Sequence, residues 1–379
     1  MAKANTQMNL IDALFSPASR SGLPRKTVIS GSINGVRTDL VKRLIARVVG
    51  NGFPVIVVHR ANRKFIEAYG SNSAFDPTSG LSDDEVASLF MEVGKSAYGL
   101  STESKAIVSI GLEVMRILSM KCDLKSICGL PWETISEFIF NTNEIPNERK
   151  LSLIRRIEPF SIQTPAVAAF FTEISVHAPL QNNSGESDSV FPTSNTVLSI
   201  DIGSDVNTMY TELVLAMIKL FKEKGRQFLT VLDSLPIPNE HSISYSIHKS
   251  TDTRTPVVIM SPDLAQTLAG KTALFSDVIG SGINAIVFSH SAGMSAEVWS
   301  NFFGEFYYRR KDVLIGESRE KFTILKGSEQ KSVTETEERR RYIPPEKIML
   351  LDPMTAFARF GQTTDVDQPF EIVQLEKRQ

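Results

Sequence analysis

Residues Lys26–His59 read KTVISGSINGVRTDLVKRLIARVVGNGFPVIVVH, and the hydrophobic rhythm of this stretch decides the fold. KTVISGS (Lys26–Ser32) is a short β-branched run that breaks at Gly31, as a buried strand entering a turn does. From Thr38 to Val49 the apolar residues Leu40, Leu44, Ile45 and Val48 recur at helical spacing. PVIVVH (Pro54–His59) is then a continuous β-branched run, the pattern of a strand covered on both faces. Strand, turn, helix and strand in that order open a parallel sheet with right-handed crossovers.

Working outward, Ala74–Leu81 (AFDPTSGL) is a turn-rich loop, and Ser82 with Glu85 forms a capping box that starts a helix through Val93. From Ser101 to Val176 the periodicity is helical, as in Ile107–Ile110–Val114–Ile117 and Leu151–Ile154–Ile157. Gly129, Pro131, Pro146, Pro159 and Pro165 divide it into several short helices. Pro179–Asn195 (PLQNNSGESDSVFPTSN) has the composition of a linker. Strands are expected at Thr196–Ile202, Phe228–Ser234, Val257–Ser261 and Asn284–Ser289, with a long amphipathic helix over Asn207–Lys224. Lys311–Lys326 reads as a hairpin or a pair of edge strands, and Glu335–Arg341 (ETEERRR) as a solvated charged segment. Tyr342–Phe360 reads as a turn, a short helix and a last strand. The expected fold class is α/β, a mostly parallel sheet interrupted by an inserted all-α subdomain. Its divisions are an N-terminal segment (1–25), a first part of the core (26–90), the all-α subdomain (91–180), a linker (181–195), a second part of the core (196–361) and a C-terminal tail (362–379).

Bulk properties narrow the function classes. The 379 residues suffice for a sizeable core, and a net charge of −2 argues against a strongly basic DNA-coating surface. No run approaches the ~18 unbroken apolar residues of a membrane span, and Asp12 interrupts the apolar patch from Leu10 to Phe15, so neither a span nor a secretory signal is expected. Cys122 and Cys128 are the only cysteines, which fits a reducing, cytoplasmic location.

Three segments carry chemistry. Gly31–Thr38 (GSINGVRT) lies between a strand and a helix, where a phosphate loop would read G-x-x-x-x-G-K-[ST]. Gly31 and Thr38 match, but Val36 stands for the second glycine and Arg37 for the lysine. A β-branched side chain resists φ > 0 and blocks close approach of backbone to phosphate, and a guanidinium is a bulky fork where a compact ammonium is wanted. Read alone, the segment is an ordinary βα turn; its position keeps the phosphate reading open, with Gly31, Gly35, Arg37 and Thr38 as the ligand-side residues. A rival, AQTLAGKT (Ala265–Thr272), holds an intact Gly270–Lys271–Thr272 but reads as a helix end capped by Gly270. FLTVLDS (Phe228–Ser234) is an apolar strand ending in Asp233, the usual place for Mg²⁺ coordination beside a phosphate loop. Ser234 follows where a water-polarising Glu is common, and Glu240 is a distant substitute. The same strand reads equally well as core ending in a solvated Asp. NAIVFSHS (Asn284–Ser291) delivers His290 to the carboxyl end of its strand, where it can contact a phosphate, couple subunits or serve structure through a hydrogen bond.

These segments, in this order, resemble the TraG/TraD-type coupling proteins of conjugation and type IV secretion, within the FtsK/HerA group of hexameric P-loop motors. VIVVH with AFDPTSGLS resembles the strand and turn after that family's phosphate loop, and residues 90–178 stand where it carries an all-α domain. FLTVLDSLPIP, INAIVFSHS with WSNFFGEFYYRRK, and IPPEKIMLLDP resemble the acidic strand, the sensor strand with its trailing segment, and the closing turn. The likeness spans residues 26–361. It implies a RecA-like P-loop core, ATP and Mg²⁺ as cofactors, Thr38 and Asp233 on the Mg²⁺ side, and His290 at the sensor position usually held by Gln. It also implies partners in a secretion or conjugation machinery, DNA among the substrates, a homo-oligomeric or hetero-oligomeric ring, and a cytoplasmic protein held at the inner face of the membrane through partners. A counterpart of the family's N-terminal membrane anchor is not expected here, and Arg37 and Ser234 replace its Lys and Glu, so weak nucleotide binding is expected sooner than turnover. Three readings follow: a degenerate subunit that recruits or gates substrate, an active ATP-driven translocase in which Arg37 and another acid have taken over, and a purely structural subunit. The Arg309–Arg310–Lys311 run is a solvated surface or an arginine finger toward a neighbouring subunit. His241 and His248, seven residues apart with no Cys or acidic cluster, do not make a zinc site. GSGINA (Gly280–Ala285) precedes a strand, the wrong context for dinucleotide binding.

Overall fold

A computed structural model describes residues 10–15, 22–32, 34–70, 75–177, 191–203, 208–234, 256–267, 283–317, 329–361 and 371–374. Its centre is an 8-stranded sheet of strands β1 (Thr27–Ser30), β2 (Val55–His59), β3 (Val197–Asp201), β4 (Leu229–Asp233), β5 (Val257–Ser261), β6 (Asn284–Val287), β9 (Thr355–Arg359) and β10 (Glu371–Gln374). β7 (Glu305–Glu317) and β8 (Glu329–Arg341) pair with each other in a separate antiparallel ribbon. The order across the sheet is β10-β9-β6-β1-β5-β4-β2-β3. From β3 to β6 every pairing is parallel, while β9 and β10 add on antiparallel.

Both faces of the parallel strands are covered, and side chains alternate between two apolar cores as a pleated strand requires. Val28, Ile56, Val58, Leu232 and Ile259 enter one core; Ile29, Val55, Val57, Val231 and Met260 enter the other. The second core is closed by α1 (Leu10–Leu14), α2 (Asn34–Gly50) and α3 (Arg63–Tyr69), with Leu40, Val41, Leu44, Ile45 and Val48 forming the buried stripe of α2. The first core is larger. It holds α10 (Thr208–Glu223) and the helical block of α4 (Asp83–Tyr98), α5 (Thr102–Ile117), α6 (Leu124–Cys128), α7 (Ile135–Asn141), α8 (Asn147–Ile157) and α9 (Thr164–His177), so the helices between β2 and β3 share one continuous apolar cluster with the sheet. The block has its own aromatic centre: Trp132 stacks on Phe171 at 4.6 Å and meets Phe170 and Phe90 through Phe171.

The turn at 75–81 ties block to sheet. Asp76 accepts from the amide and hydroxyl of Thr78 (2.8 and 2.6 Å) and, through its other oxygen, from the Leu124 amide at the start of α6 (3.1 Å). Burial raises its pKa against the pull of those bonds. The Tyr210 hydroxyl of α10 donates to the Phe75 carbonyl, and the expected capping box of Ser82 and Glu85 starts α4.

Several expectations need correction. α2 begins at Asn34, not Thr38, because Ser32 is anchored by its amide and hydroxyl to the Ser289 carbonyl (3.0 and 3.1 Å) and the turn is completed at once. α3 was missed; its seven residues are too few to show a period. The paired strands extend beyond Lys311–Lys326, β7 covering Glu305–Glu317 and β8 Glu329–Arg341, with ETEERRR inside β8 and Arg309 in register with Glu337 and Lys311 with Glu335. Glu337–Arg340 is exposed as expected and lies within β8. The segment 362–379 contains β10, which adds a strand beside β9. Most of the 181–195 linker, Gly270–Lys271–Thr272, Glu240, His241 and His248 lie outside the described residues, as do the side chains of Arg309, Arg310 and Lys311. Among the described residues no helix is long and apolar enough to cross a membrane.

Candidate functional site

The parallel strands deliver Ser30, His59, Asp201, Asp233 and Ser261 to their carboxyl ends, and the residue after β1 is Gly31. This is the edge of an α/β sheet where ligands bind. α11 (Leu264–Thr267) and α12 (Gly293–Phe303) follow β5 and β6 on the same edge.

Gly31 adopts φ +147°, and a Cβ there would stand 2.4 Å from Phe288 Cβ. Its amide donates to the Ser261 carbonyl (3.2 Å), and the Phe288 amide donates to the Ser30 carbonyl (2.8 Å). The first glycine of the phosphate-loop pattern is thus fixed by close packing against the strand next door. Gly35 lies in α2 with Lys64 beside it; the Lys64 Nζ donates to the Gly35 carbonyl (3.1 Å) and pairs with Asp39 (2.7 Å).

Arg37 and Thr38 point inward. Arg37 is 1% exposed, and burial lowers its pKa while the nearby Asp233 charge pulls the other way. Thr38 is wholly buried and receives a hydrogen bond on Oγ1 from the Asn62 amide, Nδ2 to Oγ1 3.1 Å. The same Nδ2 donates to Asp233 Oδ2 at 2.6 Å. Asp233 Oδ1 accepts from the Ser234 hydroxyl (2.9 Å), and the Ser234 amide donates to the Met260 carbonyl (2.8 Å). Ser234 sits at φ +54° and Ala61 at φ +45°, both non-glycine residues in the left-handed region flanking this network. Thr38 and Asp233, the two groups expected to face Mg²⁺, are therefore brought together, with Asn62 between them. Mg²⁺ requires oxygen ligands at about 2.0–2.1 Å in near-octahedral array. With an amide nitrogen bonded to both oxygens, the donor set as folded does not fit the ion.

His290 is 1% exposed. Its Nε2 lies 3.2 Å from the Ser30 hydroxyl, which also receives the Leu264 amide (3.2 Å), and its ring stacks near Trp299. Asp263 stands 3.9 Å from Nδ1 and accepts from the Ser295 hydroxyl (2.6 Å). Burial lowers the His290 pKa; Asp263 opposes this and Arg37 adds to it.

Sequence reasoning missed a second buried histidine. His59 Nε2 lies 2.9 Å from Ser199 Oγ, and Asp201 lies 3.9 Å from Nδ1, which resembles a nucleophilic triad. The proton count excludes that chemistry. A backbone amide can only donate, and the Asn62 amide donates to Nδ1 (3.2 Å), so the ring proton is on Nε2 and is given to Ser199. The base needed to activate a serine is facing the wrong way. Burial lowers the His59 pKa, against the charges of Asp201 and Asp233. Asp201 itself accepts from the Ala61 and Gly203 amides, both at 2.9 Å, and fixes the turn that carries Asn62.

No protein-family model matches the chain, and no curated protein matches it. Solved structures do. The bacterial conjugative coupling protein TrwB, in the truncated form named TrwBdeltaN70 with sulphate, superposes with a TM-score of 0.58 at 14% identity, over 95% of this chain and 86% of that one. TrwB in complex with ADP and Mg²⁺ gives 0.54 at 15% identity, over 100% and 90%. The chain has the fold of a conjugative coupling protein. At this identity the likeness is one of fold, a mostly parallel sheet with helices on both faces. TrwB also superposes when bound to a non-hydrolysable ATP analogue, with a TM-score of 0.55 at 13% identity over 95% of this chain and 87% of that one. In this fold the segment Gly31–Thr38 covers the connection after β1 and the first residues of α2, and Asp233 ends β4.

Proposed function

We propose that this chain is a degenerate coupling-protein-like subunit that acts in DNA or protein transfer, recruiting or gating substrate with weak or no ATP hydrolysis. Arg37 carries the reading. At the position where a phosphate loop presents lysine to the terminal phosphates, this side chain is 1% exposed, and its buried charge interacts electrostatically with that of Asp233. Ser234 adds to it: the residue after Asp233 is bound to Asp233 and has no group able to act as a base at neutral pH. His290 and Thr38 are likewise held inside by hydrogen bonds, so we assign them to the architecture of the site and not to turnover. Its partners on this reading are components of a conjugation or secretion machinery, with the helical block as the recruiting surface, DNA among the transferred substrates and a ring as the assembly, on the cytoplasmic side. A purely structural role is the second reading, and the burial of Arg37 with Val36 packed against the α2-side core favours it.

The test is equilibrium binding of ATP and ADP, with phosphate release measured on the same sample. The expected result is slow phosphate release or none above the buffer rate, with nucleotide bound weakly for the gating reading or not at all for the structural one. Steady release lost on Asp233→Ala would overturn the proposal in favour of an active translocase.

A further inference from the structure

Asn62 makes more contacts than a helix cap needs. As N-cap of α3 its Oδ1 accepts from the Lys64 amide (3.2 Å), and its carbonyl accepts from the Phe65 and Ile66 amides (both 3.0 Å). Its own amide donates to His59 Nδ1 (3.2 Å). The two Nδ2 protons, the whole donor capacity of a side-chain amide, go to Thr38 Oγ1 and Asp233 Oδ2. Thr38 is on α2 and Asp233 ends β4, so one side chain on the turn after β2 ties together the two elements that flank the candidate ligand edge. Asn62 is 7% exposed, Thr38 0% and Asp233 3%.

We propose that the Asn62 amide is a built-in replacement for the divalent cation: it does in this chain, permanently and without a metal, the work of joining Thr38 to Asp233. The inference rests on reading this edge as a worn nucleotide site and names what keeps it closed. A hydroxyl and a carboxylate oxygen brought this close are a pair of hard ligands, and a group between them must be positive or a donor of at least two hydrogen bonds. An amide nitrogen meets the second condition and carries no net charge. Neutrality matters here, because the Arg37 guanidinium is itself buried and interacts electrostatically with Asp233. With both in place, a cation entering the pair would displace a saturated donor and meet a buried guanidinium. The site is consequently metal-independent, and an anion reaching this edge of the sheet is bound, if at all, without Mg²⁺.

The decisive variant is Asn62→Asp. It keeps the shape and the capping oxygen but replaces the donor by a second carboxylate facing Asp233, the arrangement that takes up a hard cation. Mn²⁺ is the probe, followed by thermal unfolding and by loss of the free-ion signal in electron paramagnetic resonance. Asn62→Asp is expected to unfold at a lower temperature than the parent without metal and to regain about 5 °C in millimolar Mn²⁺. The parent is expected to shift by under about 1 °C. Asn62→Ser keeps a cap but is too short to bridge, and it serves as the second variant if Asn62→Asp does not fold; it is expected to bind Mn²⁺ at least tenfold more tightly than the parent. Stoichiometric Mn²⁺ binding by the parent that Asp233→Asn abolishes would overturn the inference, as would variants that fold and gain no Mn²⁺ binding. Failure here is separate from failure of the functional reading: a parent that binds Mn²⁺ yet releases no phosphate sinks only the amide, and one that releases phosphate in the presence of a chelator sinks only the degeneracy.

Discussion

If Gly31 is a packing glycine and not a phosphate glycine, Gly31→Ala and Gly35→Ala have opposite consequences for stability. At Gly31 two penalties add. The backbone sits at φ +147°, where an L side chain is strained by about 1–3 kcal/mol. The new Cβ would also lie 2.4 Å from Phe288 Cβ and 3.1 Å from Phe288 Cα. These atoms cannot swing aside, because Phe288 is fully buried and its amide is bonded to Ser30, while Ser32 is bonded to Ser289 one residue further on. Forcing extra volume into such a contact costs about 1–3 kcal/mol more, so Gly31→Ala should lose about 2–6 kcal/mol in total. At Gly35 the nearest atoms are Lys64 Nζ at 3.4 Å and Cε at 3.8 Å, the free end of a flexible side chain. Alanine in a helix there gains about 0.5–1 kcal/mol over glycine, which makes Gly35→Ala neutral to stabilising. Urea unfolding followed by the fluorescence of Trp132 and Trp299 measures both on one scale. The reasoning fails if Gly31→Ala unfolds at the parent's midpoint, or if Gly35→Ala is destabilised by more than about 1 kcal/mol. A loop whose glycines serve only a ligand would show that first failure.

Two further outcomes are expected. His59 and His290 are buried with pKa values below the ordinary imidazole value, so between that lower value and about 6.5 the unfolded chain holds protons that the folded chain does not. Their contribution is therefore fully present above about pH 6.5 and is lost as the pH falls below it; melting at pH 7.5 and 5.5 should show a drop that shrinks in His59→Gln, and an unchanged drop would contradict the assignment. In the helical block, Trp132→Ala should cost about 3–5 kcal/mol, since the ring is 2% exposed, stacks on Phe171 and donates to the Ile127 carbonyl at 2.8 Å. A loss below about 1 kcal/mol in urea unfolding would mean that the block does not fold around it.

The parallel core was legible because its signal is redundant. A strand buried on both faces must be apolar at successive positions, and the runs VIVV, VVIM and AIV inside β2, β5 and β6 are, with LTVL in β4 broken only by the buried Thr230. The hairpin was only half legible for the opposite reason. β8 reads EQKSVTETEERRR, with no apolar alternation to mark it as a strand, and its extended form rests on a register with β7 that the sequence pattern does not show. The helical block gave its periodicity but not its attachment, because the contact of Asp76 with the Leu124 amide joins residues 48 apart through a main-chain group that has no side-chain signature.

The site shows a different limit. Thr38 and Asp233 were found by type and spacing, and the structure does place them together, but what they do depends on a third residue that the motif does not include. Asn62 precedes Arg63–Lys64–Phe65 at the head of a short helix, and an asparagine in that setting is fully explained by capping. Its second role is visible only when the turn after β2, the start of α2 and the end of β4 are folded against one another, over a separation of 171 residues. Arg37 has the same character. In the sequence it reads as a positive charge retained, while its consequence is set by burial: α2 begins at Asn34, the guanidinium is 1% exposed, and its charge interacts with that of Asp233. A motif lists the groups a reaction needs, and whether those groups face a ligand or each other is decided by the first turn of a helix and one amide beside it.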